Sequence, residues 1–173
     1  MELRDIRALI KDVPDFPKPG IVFKDITPLL ADPGGFGATI DHLAAAAEAH
    51  PAQGILAIES RGFIFGAALA DRLRLPMHLV RKRGKLPREV VSVEYDLEYG
   101  SDHVEVHADA IEPGQDYLLI DDVIATGGTA AAVTRLVEQQ GASIAACLFV
   151  IELEFLNGRA LLDGHTIESL ISF

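Results

Sequence analysis

The amino-acid sequence predicts an α/β fold in which a mainly parallel central sheet is flanked by helices. Short apolar runs that are typical of buried strands alternate with segments whose apolar residues recur at helical spacing. Two of these runs, Gly54–Ile58 and Tyr117–Ile120, are each soon followed by a helical pattern. Helical crossovers of this kind join parallel strands. With 173 residues, the chain has the length of one domain.

The first half of the chain is predicted to contribute three helices and two strands. Near its start, Leu3, Ile6 and Leu9 fall on one helical face. The prolines that follow cannot continue a helix, so an irregular segment begins there. The predicted elements are a helix over 2–12, the irregular segment over 14–20, a helix over 35–49, a strand over 54–58, a helix over 63–73 and a strand over 77–80.

The second half begins with a polar, glycine-punctuated segment over residues 81–103. A long loop in a compact domain is often an active-site lid, so we expect a flexible loop there. The predicted elements after it are a hairpin strand around 104–107, a strand over 117–120, a helix over 128–140 that Gly141 ends, and a strand over 142–151. No element is predicted for residues 160–173.

The composition argues against several classes of function. The formal net charge of −11 disfavours binding to nucleic acid or to an anionic membrane. The single cysteine, Cys147, cannot form an intramolecular disulfide and lies in an apolar run. The sequence shows no secretory signal and no apolar run long enough to span a membrane. We therefore expect a soluble, cytoplasmic protein.

The segment from Leu118 to Thr129 carries the most specific chemical signal. An apolar strand runs directly into Asp121 and Asp122, at the strand end where open α/β sheets place their ligands. Adjacent carboxylates can accept hydrogen bonds from a vicinal diol such as that of a ribose. Backbone N–H groups of the following loop, at a helix N-terminus, would form an anion cradle. The loop residues are Ala125, Thr126, Gly127, Gly128 and Thr129.

These two parts together predict a ribose 5-phosphate site. The simpler alternative is a buried strand followed by a polar turn and a capping threonine. The combination favours binding over that alternative, because each part alone is common and both together are not. The segment is not a Walker loop, since no lysine follows the glycines, and no G-x-G-x-x-G dinucleotide motif occurs in the chain.

The same segment resembles the signature of the type I phosphoribosyltransferases. The match runs in order from Phe16 to Arg159 and so covers most of the chain. Four further blocks carry it: Phe16–Pro28, Glu59–Gly66, Arg81–Pro87 and Tyr95–Gly100. The resemblance implies the type I phosphoribosyltransferase fold over 1–173, with residues 1–30 as a small hood that binds the base and 81–103 as a flexible catalytic loop. Within this family, the chain resembles most the members that act on adenine.

One matching block follows the first buried strand and precedes a helix. The resemblance makes Glu59, Ser60 and Arg61 a pyrophosphate-binding loop with an unusual backbone geometry at the turn. The alternative is a structural turn with Arg61 on the surface. The position of the block at a strand end favours the binding interpretation.

Five basic side chains lie within residues 81–88 of this acidic protein. A solvated loop is one alternative, and a nucleic-acid patch is another, although interleaved aromatic residues are lacking. The resemblance assigns Arg81, Lys82 and Lys85 to the pyrophosphate group. Cations aimed at a leaving group stabilise the negative charge that develops on it in the transition state.

The resemblance also implies roles that the residues alone do not reveal. Glu98 corresponds to the acid/base that handles the proton of the purine, and Tyr99 to a residue near the leaving pyrophosphate. Val22, Phe23 and Lys24 correspond to the adenine-binding hood, with Phe23 stacked on the base and its neighbours using main-chain groups. The family more often has arginine at the position of Lys24, which matters little for a backbone contact.

The implied reaction converts adenine and phosphoribosyl pyrophosphate (PRPP) to AMP and pyrophosphate, with inversion at the anomeric carbon. Magnesium is the expected cofactor, held mainly by substrate oxygens, because the histidines lack metal-ligand spacing and predict no dedicated metal site. The resemblance also implies that the protein is a homodimer. Its implied partners are small-molecule substrates, with no nucleic acid or membrane among them. Two alternatives stay open: a phosphoribosyltransferase for a 6-oxopurine or a pyrimidine, and a regulatory sensor that keeps the fold.

Overall fold

The computed structural model describes residues 1–97 and 100–173. The chain divides into two compact units, Met1–His42 and Leu43–Phe173. The elements of the first unit are helix α1 (Leu3–Ala8), strands β1 (Lys11–Pro14) and β2 (Val22–Asp25), helix α2 (Thr27–Ala31) and the first part of helix α3 (Pro33–Ala47).

Strands β1 and β2 form an antiparallel hairpin in which Val13 lies opposite Phe23. Its turn is held by Asp15, whose Oδ1 accepts a hydrogen bond of 2.8 Å from the N–H of Gly20. The prediction of a helix over 2–12 is therefore wrong beyond Ala8. Pairing with a strand later in the chain overrides the helical spacing of the apolar residues. Helix α2 was not predicted.

The second unit contains the large sheet. Its elements after α3 are β3 (Gly54–Ile58), α4 (Gly62–Leu73), β4 (Met77–Lys82), β5 (Val90–Leu97), β6 (Gly100–His107), β7 (Asp116–Ile124), α5 (Gly128–Gln139), β8 (Ser143–Glu152), two 3-10 turns (Glu154–Leu156 and Gly158–Leu162) and β9 (Ile167–Ser172).

Seven strands form this sheet in the order β5-β6-β4-β3-β7-β8-β9. The five strands from β4 to β9 in that order run parallel, and β6 and β5 add antiparallel pairs at one edge. Helix α4 packs on β3 and β7, and α5 packs on β8 and on the β5–β6 pair. The predicted α/β class with a mainly parallel sheet flanked by helices is confirmed.

Two predicted boundaries are wrong in ways that matter for the site. Strand β7 was predicted to end at Ile120 but continues to Ile124, so Asp121 and Asp122 lie within the strand and not beyond its end. Residues 90–97 and 100–103, predicted as part of a loop, belong to the β5–β6 hairpin. Valines pair across it, with Val93 opposite Val104, and the polar residues between them hid this alternation.

Strand β9 was also not predicted, and it pairs with β8 at the edge of the sheet. The core of the second unit is formed by the buried faces of β3, β7 and β8 with α5, and includes Leu119, Val133 and Cys147, all fully buried. Burial raises the pKa of the Cys147 thiol to about 12. No helix within the described ranges is long and apolar enough to cross a membrane.

Candidate active site

Two adjacent strands bring polar residues to the same edge of the sheet. Strands β3 and β7 run parallel with Ala57 opposite Ile120, so Glu59, just after β3, and Asp121, within β7, lie at the same edge of the sheet. A cleft of about 340 Å³ opens at this edge. Its lining residues are Glu59, Ser60, Arg61, all ten residues from Asp121 to Ala130, and Phe149.

The adjacent acids lie within this cleft and are largely withdrawn from solvent. Asp122 is only 3% exposed, and its Oδ2 lies 2.8 Å from Nε of Arg61. The Oδ1 atom of Asp121 accepts a hydrogen bond of 2.8 Å from the N–H of Asp122. Arg61 therefore balances one of the two charges, and the turn after β3 is tied to β7 by an ion pair.

The pKa values of both acids are raised. Burial raises the pKa of Asp121 well above its ordinary value, and the neighbouring charge of Asp122 raises it further. Burial also raises the pKa of Asp122, against the opposite effect of the Arg61 guanidinium. Hydrogen bonds donated to a carboxylate favour its charged form. A ligand with two adjacent hydroxyl groups would supply such donors to this pair.

The loop after β7 leads directly into helix α5. Gly127 has φ +81°, a left-handed conformation that suits glycine, and α5 begins at the next residue. The first N–H groups of a helix have no acceptor within it, and here they line the cleft. With the helix dipole they form a site that favours a phosphate group.

The turn between β3 and α4 forms the opposite wall of the cleft. The peptide bond between Glu59 and Ser60 is cis, an unusual backbone geometry of the kind that the resemblance implies for this turn. A Cβ atom on Gly62 would lie 2.9 Å from both Oδ1 of Asp121 and the carbonyl oxygen of Ile120. Glycine at this position is therefore what allows α4 to approach the acid pair so closely.

The Glu59 side chain organises the basic residues at the end of β4. Its Oε2 accepts hydrogen bonds from the N–H of Lys82, at 3.0 Å, and from Nε of Arg81, at 3.1 Å. Burial alone would raise the pKa of Glu59, but these hydrogen bonds and the nearby cations hold it below its ordinary value. Glu59 is therefore a charged acceptor that aims Arg81.

Lys82 is held by a second acid, on strand β6. Its Nζ lies 2.9 Å from Oδ2 of Asp102, and this hydrogen bond raises the pKa of Lys82 and lowers that of Asp102. The hydroxyl of Tyr95 lies 3.4 Å from the same carboxylate and accepts a hydrogen bond of 3.2 Å from Thr129. A smaller cavity of about 200 Å³ is bordered by these residues together with Arg81 and Asp121.

The two cavities bring most of the sequence-predicted phosphate-binding residues together. The acid pair, the loop from Ala125 to Thr129 and the turn Glu59–Arg61 line the first cavity, and Arg81 and Lys82 line the second. Lys85 is exposed and lines neither, although its carbonyl oxygen accepts a hydrogen bond of 3.1 Å from Arg81.

The remaining predicted residues lie elsewhere in the chain. Val22, Phe23 and Lys24 belong to strand β2 of the first unit, where the Phe23 ring meets that of Phe16 edge-on at 5.2 Å and Lys24 pairs with Asp12 at 2.6 Å. Glu98 and Tyr99, predicted for catalysis and for pyrophosphate binding, lie outside the described residues.

Several lining residues were missed by sequence reasoning. Phe149 lies opposite Asp121 on β8, and nothing separates it from the rest of its apolar run. Tyr95 lies opposite Asp102 across the β5–β6 hairpin, in a region predicted as a loop. The alternating valines of that hairpin were the one signal that could have revealed this pair.

Comparison with known proteins agrees with this geometry. Residues 37–160 match the family described as the phosphoribosyl transferase domain. The curated adenine phosphoribosyltransferase of Rubrobacter xylanophilus is 54% identical over 169 residues, which cover 97% of this chain and 91% of that protein. The chain belongs to the adenine phosphoribosyltransferase family.

Solved structures of the adenine phosphoribosyltransferase family have the same fold. The enzyme of Thermoanaerobacter pseudethanolicus superposes with a TM-score of 0.96 at 50% identity, covering 99% of both chains. The Saccharomyces cerevisiae enzyme, crystallised with an imino-altritol bisphosphate and adenine, gives 0.91 at 41% identity, covering 97% of both. Family membership therefore favours neither the 6-oxopurine or pyrimidine alternative nor the regulatory sensor.

Proposed function

We propose that this cleft carries out the reaction of the adenine phosphoribosyltransferase family on PRPP and adenine. A purine nitrogen attacks the anomeric carbon of PRPP, the bond from that carbon to the pyrophosphate oxygen breaks, and AMP and pyrophosphate are the products. The observation that supports this most is the acid pair, Asp121 and Asp122, which lines the cleft beside the loop that starts helix α5. A diol acceptor next to a phosphate cradle fits a ribose 5-phosphate.

In this proposal the acid pair binds the ribose hydroxyls and the loop binds the 5-phosphate. The carboxylates of Asp121 and Asp122 accept hydrogen bonds from the two hydroxyls, which compensates the burial that raises their pKa values. The loop donates backbone N–H groups and the hydroxyls of its two threonines to the phosphate oxygens. The loop residues are Ala125, Thr126, Gly127, Gly128 and Thr129.

The cationic side of the cleft would bind the pyrophosphate group. Arg81 and Lys82 supply positive charge, and the turn Glu59–Arg61 supplies backbone donors and a further guanidinium. Lys85, exposed beside Arg81, would add a third cation. Charge grows on the pyrophosphate oxygens as the bond to the anomeric carbon breaks, so fixed cations there stabilise the transition state more than the ground state. We assign Tyr99, outside the described residues, to the same leaving group.

The base is assigned to adenine. Phe23 would stack on the purine ring, while main-chain groups of Val22 and Lys24 would read its edge. Glu98, which lies outside the described residues, would take the proton that the attacking base gives up. The adenine in the Saccharomyces cerevisiae structure supports this choice of base, since that protein is similar over 97% of this chain.

The proposed cofactor is magnesium, carried into the cleft by PRPP. The carboxylate oxygens of Asp121 and Asp122 line the cleft and are hard ligands of the kind that magnesium prefers, so they would help to hold a substrate-bound ion. Magnesium would balance the charge of the pyrophosphate group. We further propose that the protein works as a homodimer in the cytoplasm, on the strength of the family resemblance.

Adenine should be a far better substrate than hypoxanthine. An exocyclic amine donates a hydrogen bond where the oxo group of hypoxanthine can only accept, so a main-chain carbonyl suited to adenine would be left unpaired. Sites built on such hydrogen bonds discriminate strongly, so we expect kcat/KM for adenine to exceed that for hypoxanthine by at least ~100-fold. Steady-state assays with adenine, hypoxanthine, guanine and uracil provide the measurement. Equal values for adenine and hypoxanthine would contradict the base assignment and leave the phosphoribosyl chemistry standing.

We propose that residues 83–89 of the 81–103 segment close over the bound substrates. Residues 83–89 join β4 to β5, and all but one of their side chains are exposed, so ligands rather than the core would order them. PRPP with magnesium should therefore slow proteolysis and amide hydrogen exchange in this segment more than elsewhere. Magnesium alone is the control. Equal protection with and without PRPP would count against closure.

A further inference from the structure

The loop Ala125–Thr129, here called the phosphate loop, packs against a segment that lies outside the motifs of the proposed site. The chain from Asn157 to Arg159 follows β8 and lies directly against the loop that begins helix α5. A Cβ atom on Gly127 would lie 2.2 Å from the carbonyl oxygen of Gly158. A Cβ atom on Gly158 would lie 2.3 Å from the carbonyl oxygen of Ala125 and 3.0 Å from the backbone nitrogen of Gly127. The two stretches of backbone are therefore packed with no room for a side chain between them.

Arg159 fixes this backing segment to the sheet. Its guanidinium donates two hydrogen bonds to the carboxylate of Glu152, of 2.6 and 2.7 Å. It also donates to the carbonyl oxygen of Ile167 and to the hydroxyl of Ser169 on β9, both at 3.0 Å. The hydrogen bonds of Arg159 hold the pKa of Glu152 below its ordinary value, although burial acts against this. A forked arginine–carboxylate pair of this kind fixes geometry as well as charge.

The Arg159–Glu152 pair is connected to the start of the phosphate loop through the pairing of β8 with β7. Glu152 lies opposite Ile124, the last residue of β7, and the N–H of Leu153 donates a hydrogen bond of 3.0 Å to the carbonyl oxygen of Ile124. The residue after Ile124 is Ala125, whose carbonyl oxygen is the one that Gly158 presses against. The loop is thus held at its base by β8 and from behind by Gly158.

We propose that Gly158 and Arg159 are positioning residues for the 5-phosphate loop. They contact no substrate atom in this assignment; they set the position of the Ala125 and Gly127 backbone, whose N–H groups bind the phosphate. The inference rests on the proposed function of the cleft. A displacement of the loop by the size of a methyl group moves the N–H donors away from the phosphate oxygens, and a misplacement of about 1 Å can cost roughly 100-fold.

The test compares AMP with adenosine, which lacks the 5-phosphate. The affinity ratio of the two ligands measures what the phosphate contributes, whereas a general loss of packing would weaken both. In Gly158→Ala we expect this ratio, measured by calorimetry or by competition, to fall by ~10- to 100-fold. The KM for PRPP should rise while the KM for adenine stays nearly unchanged. Gly37→Ala is the matched control, since a Cβ there meets nothing within 4 Å.

Arg159→Gln decides the matter if Gly158→Ala does not fold. It removes the forked pair with Glu152 but keeps an amide donor, and the Arg159 side chain is already 45% exposed. The AMP-to-adenosine ratio should again fall, and Arg159→Lys should restore part of it. Arg74→Gln, in an exposed pair with Asp71, is the matched control.

The outcomes separate this inference from the function on which it rests. If the unmodified protein does not bind AMP more tightly than adenosine, the assignment of the cleft as a 5-phosphate site fails. If it does, and the folded variant used for the test keeps the same ratio, the cleft assignment stands and the positioning role of Gly158 and Arg159 is overturned.

Discussion

The double variant Asp121→Asn, Asp122→Asn is expected to fold cooperatively and to lose most of its activity. Both amides keep the size of the original side chains, but they lose the negative charge that strengthens the proposed hydrogen bonds from the ribose hydroxyls. A hydrogen bond to a charged group contributes about 1.5–3 kcal/mol, so losing two should lower kcat/KM by roughly 100- to 10,000-fold. Steady-state kinetics with varied PRPP measures the loss. Kinetics like those of the unmodified protein would refute the ribose assignment.

The same variant should be at least as stable as the unmodified protein at neutral pH. The pKa values of both acids are raised in the folded state from an ordinary value of 3.8, so the folded protein binds their protons more tightly than the unfolded chain does. Their charged forms therefore cost stability, a cost that is absent below pH 3.8 and grows as the pH rises through the folded-state values. In thermal melts, the melting temperature of the variant relative to that of the unmodified protein should therefore rise from acid to neutral pH.

An exposed carboxylate serves as the control for this pH dependence. Asp71 is largely exposed and pairs only with Arg74 among the ion pairs within the described residues, so Asp71→Asn should leave both kinetics and the pH profile of stability nearly unchanged. A double variant at Asp121 and Asp122 that melts well below the unmodified protein at neutral pH would show that the pair is needed for folding. Its loss of activity would then say nothing about ribose binding.

Glu98→Gln should reduce turnover far more than it affects binding. Glutamine keeps the size and part of the hydrogen bonding of glutamate, but it cannot accept the proton that the proposed mechanism transfers from the purine. General acid–base catalysis contributes ~100- to 10,000-fold, so we expect kcat to fall within that range with only a modest change in KM. Glu48→Gln, at an exposed position just after α3 and outside the cleft and the 81–103 segment, is the matched control. Near-normal turnover in Glu98→Gln would remove Glu98 from the mechanism.

The fold was predictable wherever a local pattern agrees with the tertiary structure. Gly54–Ile58 is apolar at every position because it is buried on both faces, and its bounds were predicted correctly. Lys11–Pro14 has no such pattern, since all four residues are exposed and only pairing with β2 makes them a strand. The segment of strand β9 is likewise a strand because it pairs with β8. Secondary structure that a distant partner imposes leaves little trace in its own sequence.

The candidate site divides in the same way. The acid pair and the glycine-rich loop are contiguous in sequence, so their spacing alone indicated a ribose-phosphate site. Gly158, Arg159 and Asp102 come from other parts of the chain, and only the fold brings them to the loop and to Lys82. Glycine and arginine in a short turn after a strand are common, and nothing in their spacing distinguishes a backing segment from an ordinary turn.

The pairing of β3 with β7 has a consequence for the order in which the protein assembles. The backbone N–H of Asp116, at the start of β7, donates a hydrogen bond to Oε1 of Gln53 across a separation of 63 residues. Parallel pairs over such separations form slowly, because the intervening chain loses its freedom before the contacts are made. The two walls of the cleft come from these two strands, so a refolding chain should regain its helices first and its affinity for AMP last. Ligand binding would then report the completion of the central sheet, and not the formation of any single element.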